Sequence, residues 1–220
     1  MVRFENLQKS FWTRDGPKHV ANDINAVFPS GVSVALLGRN GAGKSTLMQM
    51  IGGSMKPDSG HIHIKGSMSW PVGFAGSFHP DLSGRQNVRF IARVYGVDTD
   101  EIIDFVEDFA ELGAHFDLPI RSYSSGMKSR LAFGVSIGIP FDTYLVDEVT
   151  SVGDAAFRRK SRLVFGERMR GAGSVVVTHS MGEVRALCSA GAVLENGTLT
   201  YFEDVEDAIA HHLANMGTAG

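Results

Sequence analysis

The chain has one cysteine, Cys188, among 220 residues. A single thiol excludes an internal disulfide framework and a cysteine-based zinc site. Long apolar runs are also missing. The longest apolar-looking stretch, Ala132–Phe141, is far below the ~18 residues a membrane span needs. The first residues, MVRFENLQKSFW, lack the apolar core of a signal peptide. Charge of one sign is scarce too. Lys and Arg total 21 and Asp and Glu 24, a net charge of −3, which argues against general nucleic-acid binding by charge. Hydrophobic residues make up 43% and charged residues 20%, enough for a packed core and unlike a disordered chain. The expectation is a soluble intracellular protein whose membrane role, if it has one, runs through a partner. Glycine is plentiful, with 26 residues, and the places of these glycines carry much of the reading.

Along the chain, Val2–Leu7 and Val20–Phe28 flank a turn-rich stretch, Thr13–Pro17, and predict a β-hairpin. Val32–Leu37 is almost continuously apolar, as in a strand buried on both faces. His61–Ile64 and Ser67–Val72 predict short strands around Lys65-Gly66. From Arg85 to Gly138 the pattern is helical. Ile102, Val106 and Phe109 share one face, with Asp104, Glu107, Asp108 and Glu111 on a solvated one. Strands at Thr143–Val146 and Ser174–Thr178 enclose a basic helix from Ala155 to about Arg170. A hairpin around Asn196-Gly197 and a helix to about Asn215 end the chain. This is one α/β core, residues 1–84 and 139–220, with a helical insertion at 85–138.

Gly38 to Thr46, GRNGAGKST, fits G-x-x-x-x-G-K-[ST] between a buried strand and a helix. Glycines let backbone N–H groups converge on phosphate oxygens without Cβ clashes, which makes Gly38, Asn40, Gly41, Ala42, Gly43, Lys44, Ser45 and Thr46 the candidate nucleotide-binding residues. The helix N-terminus adds partial positive charge. Lys44 supplies a full charge for the β- and γ-phosphates, and the Ser45 hydroxyl can ligate Mg²⁺. Thr143–Glu148 is an apolar strand that delivers two acids at its end. Asp147 is placed to orient Mg²⁺ and Glu148 to accept a proton from attacking water.

Tyr123–Ala132 holds a second small-residue helix start. There a free Ser124 hydroxyl and an unshielded Gly126 N–H form another anion edge. Two phosphate-binding edges far apart in one chain fit a head-to-tail pair in which each completes the partner's site.

At this point the sequence resembles the nucleotide-binding subunits of ABC transporters over nearly its whole length. The resemblance implies a P-loop NTPase core, a parallel sheet flanked by helices with an antiparallel β-lobe, and a helical subdomain. It implies ATP as substrate, Mg²⁺ as cofactor, a homodimer sandwiching two ATP molecules, and an integral-membrane permease as partner. The signature usually reads L-S-G-G-Q. Here Tyr123, Ser124, Ser125, Gly126 and Met127 stand in its place, so only the Ser and the second Gly persist. Ser151 to Asp154 matches the loop that crosses to the partner, although Asp154 is also placed to cap the helix beginning at Ala155. His179 matches the switch histidine at the γ-phosphate. Phe11, with Trp12 beside it, sits where an aromatic ring stacks on adenine, and the choice between the two stays open. The family's usual Gln is absent near Gly76 and Ser77.

That departure, the degenerate signature and the segment GFAGSFHPDLSGRQNVRF together resemble the ATPase subunits of bacterial capsular-polysaccharide and O-antigen exporters. The absence of an appended sugar-binding domain favours the capsule type. The implied place is the cytoplasmic face of the bacterial inner membrane, with the permease as the membrane contact. The alternative is the ATPase of another ABC system, including a soluble one. Such proteins commonly carry two fused ATPase units, coiled coils or basic insertions, and none is evident here. The aromatics Trp70, Phe74, Phe78, Phe90 and Tyr95 gather around the missing Gln; core packing explains some of them, and a groove for a short permease helix would explain the others.

Overall fold

A computed structural model describes residues 1–14, 16–73, 76, 78–147 and 154–217. β1 (Val2–Thr13) and β2 (Gly16–Phe28) pair antiparallel, with Thr13 opposite Gly16 and Phe11 opposite Lys18. β3 (Ser33–Leu37) is buried from Val34 to Leu37, as its unbroken apolar run predicts. It feeds α1 (Lys44–Ile51) through the glycine loop. β4 (Ser59–Ile64) and β5 (Met68–Pro71) follow. They sit in different sheets although one short turn separates them: β4 pairs with β1, and β5 edges a six-stranded sheet. Gly66 turns the chain at φ +93°. The Ser67 backbone N–H and hydroxyl then donate to the Asp142 carboxylate at 2.7 and 2.9 Å, which draws the chain away from β4.

α2 (Gly84–Tyr95) opens on a capping box, with Ser83 and Gln86 satisfying each other's backbone N–H groups. α3 (Thr99–Ala110) is capped by Asp98, and α4 (Ser125–Gly138) by Ser124. β6 (Thr143–Asp147), α5 (Ala155–Met169) and β7 (Gly173–Val177) come next. α6 (Met181–Leu187) has seven residues, too few for hydrophobic periodicity to reveal it. β8 (Ala190–Glu195) and β9 (Thr198–Phe202) form the expected hairpin ahead of α7 (Val205–Gly217).

The chain divides into two compact units. The first comprises Met1–Ser69, Phe141–Glu148 and Met169–Gly220. It contains the sheet β2-β1-β4 and most of the sheet β5-β6-β7-β3-β8-β9. Strands β6, β7, β3 and β8 are mutually parallel, and β9 is antiparallel. One apolar cluster joins β1 and β2 residues Phe4, Leu7 and Phe28 to Leu36, Leu47, Met48, Leu145, Val175 and Leu194. Each such side chain contributes about 1.5–3 kcal/mol on full burial.

The second unit comprises Trp70–Pro140 and Val149–Arg168, so it contains the helical stretch 85–138 together with flanking segments. Its centre is Phe109, in ring contact with Phe105, Phe133 and Phe157. The acidic α3 face is only partly solvated. Arg85 bridges Glu107 and Asp117 at 2.8 and 2.7 Å. Lys160, from the basic cluster of α5, pairs with Glu111 at 2.7 Å.

Candidate nucleotide site

Three sequence-distant segments meet at one edge of the parallel sheet because β6, β7 and β3 are neighbours in it. Val34 lies opposite Val175, and Asp147 opposite Val177, so the C-terminal ends of the strands come level. The glycine loop leaves β3, Asp147 ends β6, and His179 follows β7. Ligands in open α/β sheets bind beyond the carboxyl ends of their strands. His179 lies in a tight connection: the Ser180 backbone N–H donates to Thr178 Oγ1, whose hydroxyl bonds Glu183, and Ser180 caps α6.

The loop's shape depends on glycine at both ends. Gly43, at φ +109°, is the N-cap of α1, and a Cβ there would overlap the Val20 side chain. A Cβ on Gly38, at φ +150°, would overlap the Leu194 carbonyl oxygen. Gly43 has no side chain with which to cap, so the first N–H groups of α1 remain available to an anion. Inside the loop the Ala42 N–H donates to the Arg39 carbonyl at 3.1 Å. Lys44 Nζ donates to the carbonyls of Gly38 and Arg39 at 2.7 and 3.1 Å, which holds the ammonium within the loop.

The resulting cleft has a volume of about 530 Å³ and lies wholly within the first unit. Phe11, Asn40, Gly41, Gly43, Lys44, Ser45, Thr46, Asp147 and His179 all line it. Gly38 and Ala42 belong to the loop but do not line this cleft. The two neighbouring aromatics differ in placement. Phe11 lines the cleft at 38% exposure, whereas Trp12 is outside it at 86%. Lys9 holds its ammonium 5.4 Å from the Phe11 ring centroid and bonds Asp58 at 2.7 Å.

Lys18, Val20 and Val177 also line the cleft and escaped the sequence reading. The hairpin register could have found Lys18, since pairing Thr13 with Gly16 sets it opposite Phe11. Glycines that a Cβ would crowd, a concentrated positive charge and a helix N-terminus fit a polyphosphate. Among the described residues no group of three or more His, Cys, Asp or Glu could hold a metal. Mg²⁺ needs only one or two protein oxygens beside phosphate oxygens, and Ser45 and Asp147 are both on the cleft wall.

The signature residues fall in the second unit. Ser124 Oγ is not free: it accepts from the Met127 N–H at 3.2 Å, although its hydrogen can still be donated. A Cβ on Gly126 would meet nothing closer than Ser124 Oγ at 3.9 Å, so this helix start is open. Asp154 caps α5 through the N–H groups of Phe157 and Ala156 and bonds Arg130 at 2.8 Å. Those backbone bonds, Phe157's first, hold its carboxyl below the usual range. Gly76 lies in an exposed turn. Glu148, Ser151 and Ser77 lie outside the described residues.

A strand–loop–helix cradle for phosphates, a histidine after the neighbouring strand and an acid at the end of the next fit an ATP-binding cassette. The ABC transporter family model matches residues 21–151, and the chain belongs to this family. It binds and hydrolyses ATP. The chain is 50% identical to the polysialic acid transport ATP-binding protein KpsT of Escherichia coli, over 95% of each chain. It is 41% identical to the capsule polysaccharide export ATP-binding protein CtrD of Neisseria meningitidis serogroup B, over 96% of this chain and 98% of that one. The solved ATP-binding subunit of an ABC transporter matches with a TM-score of 0.80 and 22% identity. It covers 96% of this chain and 92% of that chain, a likeness of fold.

Proposed function

We propose that this chain is the ATP-hydrolysing subunit of a bacterial capsular-polysaccharide exporter, driving a separate permease at the cytoplasmic face of the inner membrane. The observation that carries the reading is the single cleft on which Phe11, the glycine loop, Asp147 and His179 converge. The polymer class is supported by near full-length likeness to KpsT and CtrD. No helix among the described residues is long and apolar enough to cross a membrane.

Within the first unit, taken as the nucleotide-binding core, Phe11 stacks on adenine and the loop N–H groups hold the phosphates. Lys44 neutralises the β- and γ-phosphates. Ser45 and Asp147 hold Mg²⁺, which offsets charge on the phosphate oxygens when bound. Glu148 accepts the proton of the attacking water, and His179 donates to the γ-phosphate edge. Ser124, Ser125, Gly126 and Met127 of a second copy complete the site. Ser151 and Asp154 belong to the loop that crosses between copies. ATP favours the closed pair, and hydrolysis lets it open.

The second unit, taken as the signature subdomain, offers the permease an apolar stripe on α2. Phe90 and Val94 are 60% and 62% exposed there, and Tyr95 is 44% exposed beside Trp70. Gly76 and Ser77 belong to the segment that couples this surface to the nucleotide.

Glu148→Gln tests the chemistry: ATP-dependent dimers should accumulate in light scattering while phosphate release stops. Near-normal turnover would remove Glu148 as the base. Deleting the gene tests the cargo, with loss of surface glycan and polymer retained inside the cell as the expected result. An unchanged envelope would point to other cargo.

A further inference from the structure

The glycine loop has an outer side as well. Arg39–Ala42 line a second cleft of about 430 Å³, whose other wall includes Leu194, Glu195 and Asn196 at the β8–β9 turn. The two walls meet where the Leu194 carbonyl fills the space that a Gly38 Cβ would need. The end of β8 is thus a direct stop for the start of the loop.

α7 lies behind that stop. Its buried stripe runs through Val205, Ala208, Ile209 and His212. Ala208 is so close to Gly191 of β8 that a Cβ on Gly191 would overlap it. The stripe is apolar from Val205 to Ile209 and becomes polar at His212. His212 is 8% exposed. One turn later, Asn215 donates its side-chain amide to the Glu195 carboxylate. A polar pair at this end adds little apolar burial, but it ties the helix to the wall of the loop.

We infer that the Asn215–Glu195 hydrogen bond is a brace through which α7 holds the β8–β9 turn against the outer side of the glycine loop, and so sets nucleotide affinity. Neither residue lines the nucleotide cleft, so both are positioning residues. Convergent N–H groups bind phosphate well only when their spacing is held to a fraction of an ångström, and a loop with a cleft behind it needs support from its ends. Burial, with the nearby Lys44 charge adding to it and Glu195 opposing it, lowers the pKa of the His212 imidazole.

The inference rests on the first cleft being the ATP site, and the experiment separates the two. A fluorescent ATP analogue is titrated into the full chain, with Lys44→Ala as control and ATPase turnover measured at saturating ATP. Asn215→Ala and Glu195→Ala should each weaken affinity about fivefold with turnover within about twofold of wild type. The double variant should be no weaker than either single one. Glu195→Gln keeps an acceptor oxygen for the Asn215 amide and should retain wild-type affinity. Asn215→Ser carries the same prediction if Asn215→Ala melts below the assay temperature. Wild-type affinity in both alanine variants, multiplying effects in the double variant, or turnover falling in step with affinity would overturn the brace alone. A wild-type chain that binds no better than Lys44→Ala would overturn the ATP-site reading and the brace with it.

Discussion

Phe11→Ala and Trp12→Ala make a paired test of which neighbouring aromatic holds the base. Both lie near the tip of the β1–β2 hairpin, and a strand sends successive side chains to opposite faces. Phe11 faces the cleft with Lys18 and Val20, and Trp12 does not line it. Stacking of a base on an aromatic ring contributes about 1–3 kcal/mol, so losing it corresponds to ~5–150-fold in affinity. Phe11 is 38% exposed, leaving ring surface for a base to cover, and Lys9 and Asp58 limit how far it can move. A preordered ring loses little entropy on binding, so a fall of about 2 kcal/mol, some 30-fold, is expected. Trp12 is 86% exposed, and its removal should change affinity less than about twofold. Calorimetric titration with ATP checks both, and Phe11→Tyr should bind like wild type. A larger loss for Trp12→Ala than for Phe11→Ala would refute the assignment and the register argument beneath it.

Gly43→Ala should lower both the melting temperature and ATP affinity, the latter at least about tenfold. It forces a left-handed backbone costing about 1–3 kcal/mol and drives a Cβ into Val20; unchanged affinity in the same titration would contradict this. The Ser67 backbone N–H, and then its hydroxyl, hold the Asp142 carboxyl below the usual range. A lowered folded value means the stabilisation is complete above the unfolded value of about 4 and is lost as pH falls through the folded one. Asp142→Ala should therefore lower the urea midpoint at pH 7, and the gap should narrow below about pH 4. Burial pushes the Cys188 thiol up to about 12. Alkylation by iodoacetamide at pH 8 should be slow in the folded chain and fast in urea; equal rates would place the thiol at the surface.

The glycine loop, the Thr143–Asp147 strand and the final hairpin were legible because each is local. Their spacing or alternation lies within about ten residues. The outcome for β4 and β5 was not legible, since adjacent strands can pair or part. Here a long-range bond from Ser67 to Asp142 decided it. The acidic α3 face also read differently alone, because Lys160, which partners Glu111, lies far along the chain. The choice between Phe11 and Trp12 needed a register, and Lys18 was missed for the same reason.

The sequence by itself determined the chemistry available: a phosphate loop of fixed spacing, an acid pair on an apolar strand, and a histidine after another. These follow from backbone freedom at glycine and from side-chain type, which are properties of short segments. Tertiary structure alone decided which of these residues share a wall. It set β6, β7 and β3 side by side so that their ends meet, turned Phe11 rather than Trp12 to the cleft, and placed Leu194 and the Glu195–Asn215 pair behind the loop. Strand order and helix packing arise from burying one apolar core, a global condition that no local pattern encodes.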